Sequence, residues 1–345
     1  MARPDLMGIV ERYLQEHMDQ GPHLEVVNVH RSSDGWSDET YLVDYEVHSA
    51  SPRSGQRVVI RKESSGLILE RMNLFKHYQT LKVLSEETSL PVPRPLWFES
   101  DASILGNPFF VMSFLPGHSV VPWSREGGQF FSDPERRASL AQEFIKYLVQ
   151  IHTVDIGAGA IGLTMGWPKT YAAYLSEKLE LLHRDYVSAS GHKDDPVIEE
   201  ALCWLTQNQP LTGNLRLVHG DYRSGNLLYD DRHIVGILDW ELAEIGDPYV
   251  DIGYVFAKAN RMNSPLLSYL VSPEQFMAAY QDQMGVTLDM ARVQYFVVWH
   301  HVQFYLLAAI GKNAFQQGIT RDLRLYRQGE RLPLMRHLVA ESRGY

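Results

Sequence analysis

Residues 217–240 read LVHGDYRSGNLLYDDRHIVGILDW, short apolar runs whose ends are crowded with polar groups. Apolar runs this short suit buried strands better than helices. The runs LLYD and IVGILD, separated by DRH, predict an antiparallel hairpin centred between Arg232 and His233. That register pairs Asn226 with Asp239 across the open end. An amide oxygen beside a carboxylate suits a hard cation such as Mg²⁺, which takes one or two protein oxygens and completes its shell with phosphate and water. Asp221 opens the loop that leads into the hairpin, close by yet separate enough for another task. A lone loop aspartate is ordinarily a turn former or a cap. Three oxygen-bearing side chains at the ends of buried strands need more, because a buried carboxylate costs several kcal/mol unless paired or metal-bound.

The chain around this stretch is long enough, at 345 residues and 45% hydrophobic, for two domains or one two-lobed unit. Its 21% charged residues, with 18 Tyr, 13 Phe and 7 Trp, mark a folded protein rather than a disordered one. A net charge of −10 weighs against a nucleic-acid binder, which needs a basic surface. Cys203 is the only cysteine, so neither an intrachain disulfide nor a cysteine-based zinc site is possible. It is expected to be a small buried apolar residue. The N-terminus carries acids and no apolar core, unlike a signal peptide. No run of about 18 apolar residues exists to span a membrane. The expectation is a cytoplasmic protein.

The periodicity changes along the chain. Leu6, Ile9, Val10, Tyr13, Leu14 and Met18 predict a helix over 5–19. LEVVNVHRS, TYLVDYEVHSA and QRVVIRKE read as strands separated by turn-rich segments. A helix is expected over 67–85, extended chain in PVPRPLWFES, and a buried strand in PFFVMSFLPG. From about residue 133 helices dominate: one is opened by Asp133 and Pro134, and others fall near 170–188, 196–208, 251–260, 273–284 and 288–312. A small β-rich N-terminal part thus precedes a larger helical part. Ligand sites often form between such lobes.

His219-x-Asp221-x-x-x-x-Asn226 followed by Asp239 resembles the catalytic loop and metal-binding aspartate of the protein-kinase-like fold. The fuller form, HGDYRSGNLL through ILDWELAEIGDPYVDIGY, is similar to the aminoglycoside phosphotransferase family, in the branch of kinase domains attached to some acyl-CoA dehydrogenases. The segments RSSDGWSDETYLV, VVIRKE, LPVPRPL and PFFVMSFLPGHSV extend the resemblance over most of residues 5–255. It implies an α+β, two-lobed protein-kinase-like fold, with residues 1–116 as a nucleotide-binding N-lobe. Residues 117–345 form a mostly helical C-lobe holding the catalytic loop, metal ligands and acceptor pocket.

The resemblance also assigns roles. Asp221 is the catalytic base and Arg223 a cation near the transferring phosphate. Asn226 and Asp239 hold Mg²⁺, and Lys62 grips the α- and β-phosphates of ATP. Ser33, Asp34, Gly35 and Ser37 lie in the phosphate-covering turn, while Ser113 and Leu115 meet the adenine edge with backbone groups. His219 holds the loop, and Asp247 and Asp251 are structural, as turn and anchor. One position departs from the pattern: where kinase-like folds pair the strand lysine with a helix glutamate, this chain has His77, with Glu70, about two turns earlier, as the replacement if the helix is shifted.

The function so implied is ATP-dependent transfer of the γ-phosphate to a hydroxyl of a small molecule: a metabolic alcohol, a hydroxyacyl compound or an antibiotic. A catalytically silent nucleotide-binding module is the alternative, and a Mg²⁺-dependent hydrolase a more distant one. No nucleic-acid or membrane partner is expected, and the chain is a monomer or homodimer. Tyr295, Trp299, His300, His301 and Phe304 are candidates for an aromatic acceptor pocket, with core packing as their ordinary role.

Overall fold

The computed structural model describes residues 5–19, 21–32, 38–48, 54–63, 73–157, 160–166, 168, 170–189, 195–261 and 264–345. The chain divides into two compact units, Met1–Pro116 and Gly117–Tyr345.

The N-terminal unit runs α1 (Leu6–His17), β1 (Leu24–Arg31), β2 (Glu39–Val47), β3 (Ser54–Lys62), α2 (Leu74–Glu87), β4 (Pro95–Glu99), α3 (Ala102–Leu105) and β5 (Phe109–Ser113). Its five strands form one antiparallel sheet in the order β1-β2-β3-β5-β4. Alternation along β2 turns Val43, Tyr45 and Val47 inward, where Val10, Tyr13 and Leu14 of α1 pack with them. Asp5 starts α1 by accepting the Gly8 N–H at 3.2 Å. Of the helix expected over 67–85, the described part begins at Leu74, where Asn73 accepts the Lys76 N–H.

The C-terminal unit continues with β6 (His118–Ser119), α4 (Arg125–Phe130), α5 (Pro134–Thr153), α6 (Ala160–Met165), α7 (Tyr171–Ala189) and α8 (Pro196–Gln207). Four short strands follow: β7 (Arg216–Val218), β8 (Leu227–Tyr229), β9 (Ile234–Ile237) and β10 (Glu244–Gly246). The remaining helices are α9 (Tyr249–Phe256), α10 (Pro273–Met284), α11 (Met290–Gln316), α12 (Leu323–Gly329) and α13 (Leu332–Ser342). The strands make two small antiparallel sheets, β7 with β10 and β6-β8-β9.

Helix starts follow the caps written in the sequence. Asp133 accepts from Arg136 N–H before Pro134, and Ser272 forms a full capping box with Gln275 before Pro273. The expected helix over 251–260 is shorter and earlier, Tyr249–Phe256, with a separate 3₁₀ turn at Lys258–Asn260. Helix α11 is apolar on most sides because it runs through the core, touching α7, α8, α9 and α13. Five short helices, α3, α4, α6, α12 and α13, are absent from the expected pattern, four of them too short for a clear apolar period. Cys203 lies on the exposed face of α8, not in the core, because its neighbours Ala201 and Leu202 take the buried stripe. No helix among the described residues is long and apolar enough to cross a membrane.

Asp195 ties three helices. It caps α8 through the Val197 N–H, receives the Tyr305 hydroxyl of α11 at 3.2 Å, and pairs with Arg336 of α13 at 2.8 Å. Asp195→Ala is expected to lower unfolding free energy by about 1–2 kcal/mol, the cost of a lost cap plus a weakened ion pair, read from urea denaturation midpoints.

Candidate active site

The loop from His219 to Asn226 leaves β7 and enters β8, and buried groups fix its path. Gly220 has φ +82°, and a Cβ there would stand 2.7 Å from the Leu242 carbonyl oxygen, so only glycine fits this turn. The His219 ring is fully buried. Its Nδ1 accepts the Asp221 N–H at 3.2 Å, which leaves Nε2–H to donate to the Leu238 carbonyl at 2.9 Å. Tyr222 and Tyr229 send their hydroxyls to the Phe144 and Ser224 carbonyls, both at 2.8 Å.

Asp251, from α9, holds the loop from below. Its carboxylate accepts the backbone N–H groups of His219 and Gly220, both at 2.8 Å, and the His152 ring from α5 at 3.1 Å. His152 in turn meets the Tyr280 hydroxyl at 2.7 Å. Burial works against the charge of Asp251, but these hydrogen bonds and the nearby imidazoles outweigh it and hold its carboxyl below its ordinary value. Asp247 is equally buried. It takes the Tyr171 hydroxyl at 2.5 Å, the Arg292 guanidinium and the Tyr249 N–H. Both aspartates are therefore structural anchors.

Asp221 sits on this platform, partly exposed. The Asn226 Nδ2 donates to its Oδ2 at 2.6 Å and to its backbone oxygen at 2.9 Å. The Arg223 Nε donates to Oδ1 at 3.3 Å, and the Tyr254 hydroxyl bonds to the same carboxylate. Burial disfavours the charged Arg223 guanidinium, but Asp221, Tyr254 and Asp239 more than compensate and keep it firmly protonated. Asp221 thus has a cation and an amide that aim its carboxylate.

The hairpin register differs by one residue from the expected one. Leu227 faces Ile237 and Leu228 faces Gly236, so Asn226 stands opposite Leu238, whose N–H donates to the Asn226 carbonyl at 2.8 Å. The cause is the turn. The Asp230 side chain accepts the N–H groups of Arg232 and His233, centring the reversal on Asp231-Arg232, and a bulge follows between Leu228 and Tyr229. Asp239 falls one residue beyond the pairing, at φ 61° and ψ 53°. This left-handed backbone is unfavourable for aspartate and recurs at functional sites. Because both amide hydrogens of Asn226 face Asp221 oxygens, its Oδ1 points the other way, as an acceptor. Asn226 Oδ1 and the neighbouring Asp239 carboxylate are the hard oxygen donors a magnesium ion takes, so these residues fit that metal.

In the N-terminal unit, the Lys62 ammonium is 2.6 Å from the Glu39 carboxylate and 3.4 Å from the Leu105 carbonyl. Among the described residues the lysine's carboxylate partner is thus its cross-strand neighbour on β2. Burial works against the charge of Glu39, but Lys62, Tyr41 and Arg31 lower its pKa below the ordinary value. His77 is buried edge-on to Phe110, with a ring nitrogen within 4.8 Å of the Asp38 carboxylate. Ser113 exchanges two hydrogen bonds with the Arg94 backbone, while Leu115 is half-buried beyond the strand. Ser33, Asp34, Gly35, Ser37 and Glu70 lie outside the described residues. Of the aromatic candidates on α11, Tyr295, Trp299, His300 and His301 are core residues, and Phe304 is partly buried against Tyr254 and His300.

Sequence reasoning missed Glu39, Tyr254 and His152. For Glu39 a signal existed: counting back from the turn between β2 and β3 places it opposite Lys62. Tyr254 and His152 had none, since their partners Asp221 and Asp251 are 33 and 99 residues away along the chain.

A profile described as the phosphotransferase enzyme family matches residues 28–294. Acyl-CoA dehydrogenase family member 10 of Mus musculus is 28% identical over 242 residues, 69% of this chain and 21% of that protein. The chain therefore spans about a fifth of that relative's length. Aminoglycoside 3'-phosphotransferase of Niallia circulans is 23% identical, covering 60% of this chain and 71% of that one. Among solved structures, a Ralstonia eutropha protein described as a candidate aminoglycoside phosphotransferase superposes with a TM-score of 0.71 at 19% identity, over 97% of both chains. The chain has that kinase-like, α+β fold.

The Asp251 anchor gives a pH test. A carboxyl whose folded pKa is depressed contributes stability above its unfolded value, 3.8, and loses it as pH falls through the folded value. Wild type is expected to lose stability below about pH 3.8 more steeply than Asp251→Asn, which starts several kcal/mol less stable. Urea midpoints across pH 5 to 2 report both. Gly220→Ala is expected to cost about 2 kcal/mol or more in the same measurement.

Proposed function

The chain belongs to the phosphotransferase enzyme family, and on that premise we propose that it is a small-molecule kinase that moves the γ-phosphate of ATP to an alcohol. The observation that carries this reading is Asp221, a partly exposed carboxylate aimed by Asn226, Arg223 and Tyr254 beside two further oxygen donors. A carboxylate so held accepts the proton of an incoming hydroxyl while the alcohol oxygen bonds to the γ-phosphorus and the bond to the β-phosphate oxygen breaks, leaving ADP. Arg223 places positive charge where the transferring group develops its own negative charge. Asn226 and Asp239 would hold magnesium, which when bound neutralises phosphate oxygens. Lys62, steadied by Glu39, is assigned to the α- and β-phosphates. Leu115 and Ser113 are assigned to the adenine, and Ser33, Asp34, Gly35 and Ser37 to the phosphate-covering turn.

The acceptor we assign is a metabolic alcohol or hydroxyacyl compound rather than an aminoglycoside. The relatives named for acyl-CoA dehydrogenases share 28% identity in the mouse case, against 23% for the aminoglycoside enzyme. The test is ADP release and phosphorylated product over a panel of hydroxyacids, hydroxyacyl compounds, simple alcohols and aminoglycosides. Asp221→Asn is expected to lower turnover by about 10²–10⁴-fold with ATP affinity retained. Asp239→Ala is expected to abolish the magnesium dependence of ATP binding in calorimetry. ATP binding without turnover on any acceptor would make the chain a silent nucleotide module and overturn the reading.

A further inference from the structure

The 3₁₀ turn Ser224–Asn226 carries a glycine that its backbone does not require. Gly225 has no left-handed φ, so alanine can follow the same path. The missing side chain matters for another reason. A Cβ at this position would stand 2.5 Å from Nη1 of Arg223, 3.3 Å from its Cζ and 3.8 Å from its Nη2. These are the three nearest atoms beyond the turn's own backbone, so among the described residues nothing else crowds the place. Gly220 differs, because the obstacle there is a backbone carbonyl and the glycine serves the fold.

Arg223 bridges a short gap. Its Nε–H donates to the Asp221 carboxylate at 3.3 Å, and its Nη1 corner rests on Gly225. The first contact is already long for a hydrogen bond and has little slack. Non-bonded heavy atoms attract best near about 3.5 Å, so a methyl group at position 225 would push Nη1 away by roughly 1 Å. Because guanidinium is planar and rigid, Nε moves with Nη1 and leaves hydrogen-bonding range of Asp221. The Arg223 side chain is 24% exposed and has solvent to turn into. A methyl group here would therefore spare the fold and strip the carboxylate of its cation.

We propose that Gly225 is a positioning residue: the space left by its missing side chain seats the Arg223 guanidinium and sets the orientation of that cation against Asp221. The seat is matched to arginine. Glutamine at position 223 would carry an amide nitrogen where Nε lies, yet it lacks Cζ and both Nη, the atoms that need the space. The placement stands on geometry alone, whereas its consequence for turnover rests on the phosphotransfer reading.

Turnover and side-chain NMR of the full chain test it. Gly225→Ala is expected to lower kcat about tenfold to 10²-fold, the range for a misplacement near 1 Å, with KM for ATP unchanged within about twofold. In an Arg223→Gln background the same change is expected to cost less than about twofold, because the clashing atoms are gone. Gly128→Ala, on α4 with open space at its Cβ, is the control and keeps wild-type turnover. The Arg223 Nε–H resonance, identified by its loss in Arg223→Gln, should exchange with solvent at least about tenfold faster in Gly225→Ala than in wild type. Equal falls in kcat in both backgrounds, unfolding caused by Gly225→Ala in both, or an unchanged Nε–H exchange rate would each overturn the proposal. If wild type phosphorylates no alcohol, the proposed function falls, and the Nε–H exchange rate by itself decides the role of Gly225.

Discussion

One buried carboxylate organises the C-terminal unit. Asp251 has no exposure to solvent, and a charge in that position is tolerated only because three donors converge on it. Two of the donors are consecutive backbone N–H groups of the loop that carries Asp221. The third, His152, comes from α5 and is itself steadied by Tyr280 of α10. Three helices and one loop are thus fixed relative to a single point. Releasing any donor would leave the charge under-satisfied in a low-dielectric interior, so the set holds together or fails together.

The Asp221 side chain inherits its position from that point. Gly220 lets the chain turn where a side chain would strike the Leu242 carbonyl, and the His219 tautomer is set by the Asp221 N–H it accepts. Asp221 then needs only local partners, Asn226, Arg223 and Tyr254, to aim its carboxylate. Asn226 has a double use. Its amide hydrogens hold Asp221 and its oxygen faces away, free to accept.

Much of this was legible along the chain. The apolar alternation of β1 to β3, the caps Asp133 and Ser272, and the crowded residues of 217–240 are local features. Local features are set by periodicity and by hydrogen bonds over three or four residues. The hairpin shows where local reading stops. Pairing by symmetry put Asn226 opposite Asp239, but Asp230 draws the turn one residue earlier and a bulge absorbs the difference. A single side-chain hydrogen-bond pattern decided a register that apolar alternation left open by one residue. Asp239 was displaced from the strand into a left-handed conformation as a result.

The sequence by itself determined which chemical groups are present and their order: a carboxylate, a guanidinium, an amide and a second carboxylate at the ends of apolar strands. It also determined the family, because that order and spacing are specific. Only the tertiary structure decided their partners. Lys62 pairs with Glu39 of the neighbouring strand, and His301 turns from an aromatic-run residue into a buried core residue. The reason is physical. Local order is fixed by contacts a few residues apart, whereas the charge state and hydrogen bonding of a buried group depend on whichever distant segments fold over it.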